Sequence, residues 1–341
     1  MRGLAILLVV FNHSALCVST VRLSPELPTR SLSLFELFGL LFSTSVPLAS
    51  VTAFMIASGF FMARFNGTWA TAKPALKTLG TRFLIWTVVG YLVTGVLHHR
   101  LHPMDMLRDF AVTLGPFPAY WFLTVMLCVL AICPWLTRWA VASPKSMLGA
   151  ILVLEVVRAS TFYTEHPLPT RIPIEISFFM LGILLAKHTE PVVRTLGRNR
   201  KLIGATAVLL MLAGFAESEY WWNLLHVRDA HLGNNDRLTV RAFTLFATAW
   251  ILLAPTKPVP TPFNKRMEVI GVKSFGVFVL FDFFQQILYM TCWHGERVLG
   301  LTTRPRTVPP AWLGHPAMVA AFFAVGVIGP LVTMWAVERY L

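Results

Sequence analysis

Arg2 and His13 bracket an apolar run that only Asn12 interrupts, and they stand eleven residues apart. At about 3.6 residues per turn this is close to three turns, so one helix face carries both. The rise between them is roughly 16 Å, about half of a hydrocarbon core of about 30 Å. Arg2 then sits at a membrane surface and His13 near the midplane. A histidine at that depth must face a bundle interior or a wet cavity, and it is a functional candidate by default. The plainer alternative is a neutral imidazole bonded to a neighbouring helix, with Arg2 as a topology anchor. The pair suits one reaction class. A cytosolic acyl thioester has a phosphate-bearing end for basic groups and a helix N-terminus to hold. Its acyl end reaches inward, where neutral imidazole is a suitable base for a hydroxyl arriving from the other side.

Other polar residues stand within apolar runs. Asp282 lies about ten residues into a candidate helix, roughly 15 Å deep, near the depth of His13. Gln285 and Gln286 follow on its face at i+3 and i+4. Asp282 is either a carboxylate that orients His13 or an Asp satisfied by those amides or by water. Glu155 and Arg158 are spaced i, i+3 and can neutralise each other along one face, or Arg158 can serve a bound anion. His98, His99 and His102 with Asp105 and Asp109 match no compact ligand spacing, so no metal site is expected. The segment from about 217 to 240 holds Trp221, Trp222 and Asp229, rings and a carboxylate that suit a carbohydrate. The two Trp equally fit an interfacial aromatic belt. The basic loop Arg194 to Lys201 can meet an anionic donor, although topology alone accounts for it.

What must position these residues follows from composition. Of 341 residues, 56% are apolar and 13% charged, against about 45–50% and about 25% in soluble domains. Long apolar runs broken by short polar stretches exclude a soluble enzyme, a disordered chain and a fibrous repeat. Continuous runs also contradict the weak alternation of a β-barrel. The expectation is an all-α polytopic membrane protein of about ten transmembrane helices, near 3–19, 46–63, 81–97, 119–138, 146–162, 174–188, 201–216, 239–255, 272–291 and 316–338. Residues 33–43 are apolar but short, and are expected to lie in the interface or re-enter. The first span is expected to be a retained helix, because Asn12 and His13 break a signal-like run and Leu16 spoils the lipobox. One transmembrane domain over 1–341, with no appended soluble domain, is expected.

The net charge of +13 is explained by the positive-inside rule and an anionic ligand, without nucleic acid. With both termini in the cytoplasm, every Lys falls on the cytoplasmic side and the outer segments hold only Arg. Cys17, Cys128, Cys133 and Cys292 lie in or beside apolar runs and are read as small buried residues.

Five segments in order carry a family resemblance. Arg2 to His13 resembles the opening Arg-x10-His motif of the acyltransferase-3 family of integral-membrane O-acyltransferases. Ala53 to Phe61 resembles its second-span segment with Ser-Gly-Phe, and Tyr120 to Leu123 its Leu-Trp-Phe-Leu. Arg171 to Gly182 with Ala186 resembles its Arg…Leu-Leu-x-Gly…Ala segment, and Ser274 to Phe278 its Ser-Tyr-Gly-x-Tyr. The resemblance implies transfer of an acyl group, with acetyl expected, from cytosolic acyl-CoA as co-substrate to a carbohydrate or glycolipid acceptor of the envelope or an exported polymer. It implies an inner-membrane protein with no resident cofactor, His13 as the catalytic base, and Arg2 on the donor side. Arg82 matches part of a further Arg-x-x-Arg pattern, with Leu79 at the earlier position, and is assigned to donor binding with Arg2. The chain departs from the pattern in having its Arg at residue 2, and Phe281 where the family often has His seven residues after the Ser. The competing expectations are a transporter or flippase for an anionic or glycan-linked substrate, which the span count and buried polar groups also fit, and a non-catalytic relative serving as a scaffold. No internal repeat of the transporter kind is present.

Overall fold

The computed structural model describes residues 2–22, 51–64, 67–98, 104, 121–163, 172–219, 238–252, 262–298, 315 and 317–340. Among these there are twelve helices and no strands. They are α1 (Arg2–Arg22), α2 (Val51–Arg64), α3 (Trp69–His98), α4 (Trp121–Ala142), α5 (Pro144–Tyr163), α6 (Ile172–Lys187), α7 (Thr189–Arg198), α8 (Arg200–Glu219), α9 (Leu238–Leu252), α10 (Pro262–Val272), α11 (Ser274–Val298) and α12 (Ala317–Tyr340). A helix lies over each of the ten expected spans. Residues 33–43 lie outside the described residues.

Sidedness identifies the solvent. The outward faces are apolar: Leu152, Val153 and Val156 of α5, Leu84, Ile85 and Val88 of α3, and Leu202, Leu209 and Leu212 of α8 are all exposed. The interior takes the polar side chains, among them Ser14, Thr87, Thr137, Ser177, Thr248, Asp282 and Gln285. Water would reverse this distribution, and lipid requires it. Three helices among the described residues are long and apolar enough to cross a membrane, Phe122–Ala142, Ser274–Cys292 and Ala317–Arg339. Ile6–Ala15, Val51–Arg64 and Ile176–Lys187 are shorter apolar helices. The protein is an all-helical polytopic membrane protein.

Two helices stand where sequence reading expects loops. The basic stretch Arg194 to Lys201 is the end of α7 and the start of α8. α7 is only ten residues long and carries Arg194 and Arg198 exposed, too short and too basic to read as a span. α10 likewise carries Lys265 and Arg266 in a helix that starts at Pro262, where proline's fixed φ suits the first turn.

The chain divides into two units, Met1–Val51 with Leu202–Leu341, and Thr52–Lys201. In the first, α11 and α12 run antiparallel, with Lys273 bonded to Glu338 at one end and Gln285 bonded to the Phe322 carbonyl further along. α1 packs on both of them. The start of α1 lies on α10 so closely that a Cβ on Gly3 would stand 2.1 Å from the Met267 carbonyl oxygen. α8 and α9 pair antiparallel, with Gly204 under Trp250 and the Thr239 hydroxyl donating to Glu217.

The second unit is built on a crossing of α2 and α6. A Cβ on Gly59 would lie 2.1 Å from the Phe179 carbonyl oxygen, and one on Gly182 would lie 2.1 Å from that of Ile56. Each glycine admits the other helix's backbone, the small-residue device by which membrane helices approach when lipid gives no hydrophobic drive. Met55, Phe179 and Ile183 are fully buried around it. α4 packs against α3 and α6, and α5 against α6. The Ser177 hydroxyl of α6 donates to Glu155 of α5. After α2 the chain turns at Gly67, whose φ of 51° favours glycine and whose N–H bonds the Met62 carbonyl at 2.9 Å.

Candidate active site

α1 is an uninterrupted helix from Arg2 through His13, so the three-turn separation expected of the pair holds along one axis. His13 is half-buried. Its imidazole meets the Phe281 ring of α11 edge-on, with centroids 5.0 Å apart and planes at 63°. Phe281 is fully buried and leans in turn on Phe278, at 6.0 Å. The imidazole packs against an aromatic edge and makes no hydrogen bond among the described residues.

One turn beyond Phe281, Gln285 reaches the same part of α1. Its Nε2 donates to Ser14 Oγ at 2.8 Å and, at greater length, to the carbonyls of Val10 (3.4 Å) and Phe322 (3.3 Å). The Ser14 hydroxyl donates to the Val10 carbonyl at 2.7 Å. Asn12 and Asp282 are buried in the same unit. Asp282 lies next to Phe281 in α11, and the Gln285 N–H groups go to α1 and α12 rather than to its carboxylate.

The first unit holds His13, Asp282 and Gln285, and sets Phe281 and Gln285 against the turn of α1 that carries His13. Arg2 begins α1. Arg82, Glu155 and Arg158 belong to the second unit: Arg82 is exposed on α3, Arg158 is buried, and Glu155 accepts from Ser177. Trp221, Trp222 and Asp229 lie outside the described residues, as do His99, His102, Asp105 and Asp109; His98 ends α3. Sequence reading missed Ser14 and the ring contact of Phe281. Ser14 gives no signal in an apolar run, since its hydroxyl bonds its own helix. Phe281 is one more Phe in a stretch rich in them, and its neighbour is set by tertiary packing.

The site is a histidine halfway along an apolar helix, its ring set on an aromatic, inside a bundle whose exterior is made for lipid. That is the frame of an integral-membrane enzyme. The sequence model of the acyltransferase-3 family, described as an acyltransferase domain, matches residues 1–336, so the chain belongs to that family and is a membrane acyltransferase. Comparison with curated proteins and with solved structures gives no match.

Proposed function

We propose that the protein moves an acyl group, acetyl in the first instance, from cytosolic acyl-CoA to a hydroxyl of an envelope or exported carbohydrate. His13 acts as the general base. It takes the proton of the acceptor hydroxyl as that oxygen attacks the thioester carbonyl. The C–S bond breaks, an O-acyl ester forms, and coenzyme A leaves with its sulfur negative until reprotonated, by the imidazolium or by water. Arg2, at the start of the same helix, holds the donor's phosphates as a charge-assisted partner. The acceptor approaches from the opposite face, where the segment with Trp221, Trp222 and Asp229 supplies rings and a carboxylate. Both termini are cytoplasmic in a cell inner membrane.

The observation that carries this reading is His13 itself. It sits on the helix where the family match begins, about 16 Å from the end that bears Arg2, with its imidazole hydrogen-bonded to no described residue. The shared end of α1, α10, α11 and α12, marked by Gly3 on Met267 and by Lys273 with Glu338, agrees with a single basic face.

The test is release of free thiol from acetyl-CoA by purified protein in nanodiscs, with and without envelope glycan. His13→Ala should lower turnover by about 10²–10⁴-fold, the usual worth of a general base, while the protein still inserts and elutes as wild type. Wild-type turnover in that variant would remove His13 from the mechanism.

A further inference from the structure

Among the largest fully buried side chains, Gln285 is the single polar member in a set of Phe, Met, Ile and Val. An amide in such a place loses its hydration; its Nε2 side regains hydrogen bonds, while its Oε1 has no partner among the described residues. Two of its three bonds go to the turn of α1 that carries His13. The three run to Ser14 and Val10 of α1, the two residues that flank His13 by one and three positions, and to Phe322 of α12. Two of these partners are carbonyls, which only accept, so the amide must present its N–H side to them.

The neighbouring elements leave room for this contact. Gly326 stands one turn beyond Phe322 on α12, and a Cβ there would lie 2.8 Å from Gln285 Nε2 and 2.9 Å from Val10 Cγ1. On α11, Phe281 lies one turn before Gln285 and carries the His13 ring. Phe281 and Gln285 thus grip one turn of α1 at two points, by ring packing at His13 and by hydrogen bonding at Ser14. A helix that can turn about its own axis swings a side chain on its surface by ångströms, and a polar tie to a neighbouring helix removes that freedom.

The geometry points to Gln285 as the positioning residue of His13. It fixes the rotation of α1 so that the imidazole stays on Phe281, facing the reacting groups. This rests on the acyl-transfer reading of His13 and names the residue through which the rest of the bundle acts on it.

The test uses the full chain in nanodiscs, as wild type, Gln285→Met, Ser14→Ala and the double variant. Turnover is measured beside the rate at which diethyl pyrocarbonate modifies His13, followed by mass spectrometry. Gln285→Met keeps the bulk and loses the donors. It should lower kcat by about ten- to hundredfold, the scale of a roughly 1 Å misplacement, with KM for acetyl-CoA and the unfolding midpoint unchanged. It should also alter the modification rate of His13 several-fold. Adding Ser14→Ala to Gln285→Met should change neither readout further, because the two side chains form one contact. Independent effects of the two substitutions, or an unaltered His13 modification rate in Gln285→Met, would overturn the assignment. If Gln285→Met fails to fold, Ser14→Ala carries the test from the α1 side, and an unaltered modification rate there overturns it equally. His13→Ala runs alongside. Full turnover in that variant removes His13 as the base and leaves acyl transfer standing, and the modification rates still decide whether Gln285 positions the ring.

Discussion

Replacing Gly59 with Ala puts a carbon 2.1 Å from the Phe179 carbonyl oxygen, 3.0 Å from its carbon and 3.3 Å from the Ile183 nitrogen. A carbon meets a carbonyl oxygen at about 3.3–3.6 Å in ordinary helix contacts, so the crossing must open by roughly 1 Å. The obstacle is backbone, and no rotamer change relieves it. Opening the crossing also loosens Met55, Phe179 and Ile183, which are fully buried beside it. Overpacking costs about 1–3 kcal/mol, and a backbone obstacle puts Gly59→Ala at the upper end. Gly182→Ala meets the Ile56 carbonyl oxygen at the same 2.1 Å and should cost as much. The two should not add: once one methyl has parted the helices, the second has less left to displace. The assay is reversible unfolding in mixed micelles titrated with a denaturing detergent. Gly149→Ala on α5 is the control, since nothing lies within 4 Å of its Cβ position; it should lose no stability, as Ala is the better helix former by about 1 kcal/mol. A loss under about 0.5 kcal/mol in Gly59→Ala, or full additivity of the pair, would refute backbone contact as the basis of the crossing.

Two further outcomes follow from single contacts. Ser177→Ala removes the hydroxyl that donates to Glu155 and should cost about 1–3 kcal/mol in the same unfolding assay, because a half-buried carboxylate loses a donor. Lys273→Met should cost at most about 1 kcal/mol, since its partner Glu338 is 60% exposed and water competes for the pair.

The all-helical membrane class was legible from composition, because lipid asks for long apolar runs and the chain has them. The helix carrying Arg2 and His13 was legible for the same reason, and their common face follows from helical geometry alone. Partners across helices were not. The i, i+3 spacing of Glu155 and Arg158 carries no hint of Ser177, which donates to the Glu155 carboxylate from a different helix. Gln285 read as company for Asp282 along α11, yet its N–H groups cross to α1 and α12. Periodicity reports which residues share a face, and it carries nothing about which helix that face meets. α7 and α10 were missed because a short amphipathic helix beside the membrane and a basic loop have the same composition.

The glycines mark where pairing does leave a trace in the sequence, and they bear on how the family segments are to be interpreted. Gly59 lies in the Ala53 to Phe61 segment and Gly182 in the Arg171 to Gly182 segment, and the structure brings those two segments together as one crossing. Gly276, in the Ser274 to Phe278 segment, lies under Met334 of α12, with a Cβ position 2.1 Å from its sulfur. Four of the five segments that carry the family resemblance, the opening one with Gly3 included, therefore contain close helix approaches. Their presence says that the bundle is assembled in a given way, and says little about reacting groups. The opening segment differs. Gly3 serves packing there against α10, but His13 fills no tight crossing and meets α11 only through a ring edge. Its histidine meets the neighbouring helix by ring packing, and chemistry should be sought there first.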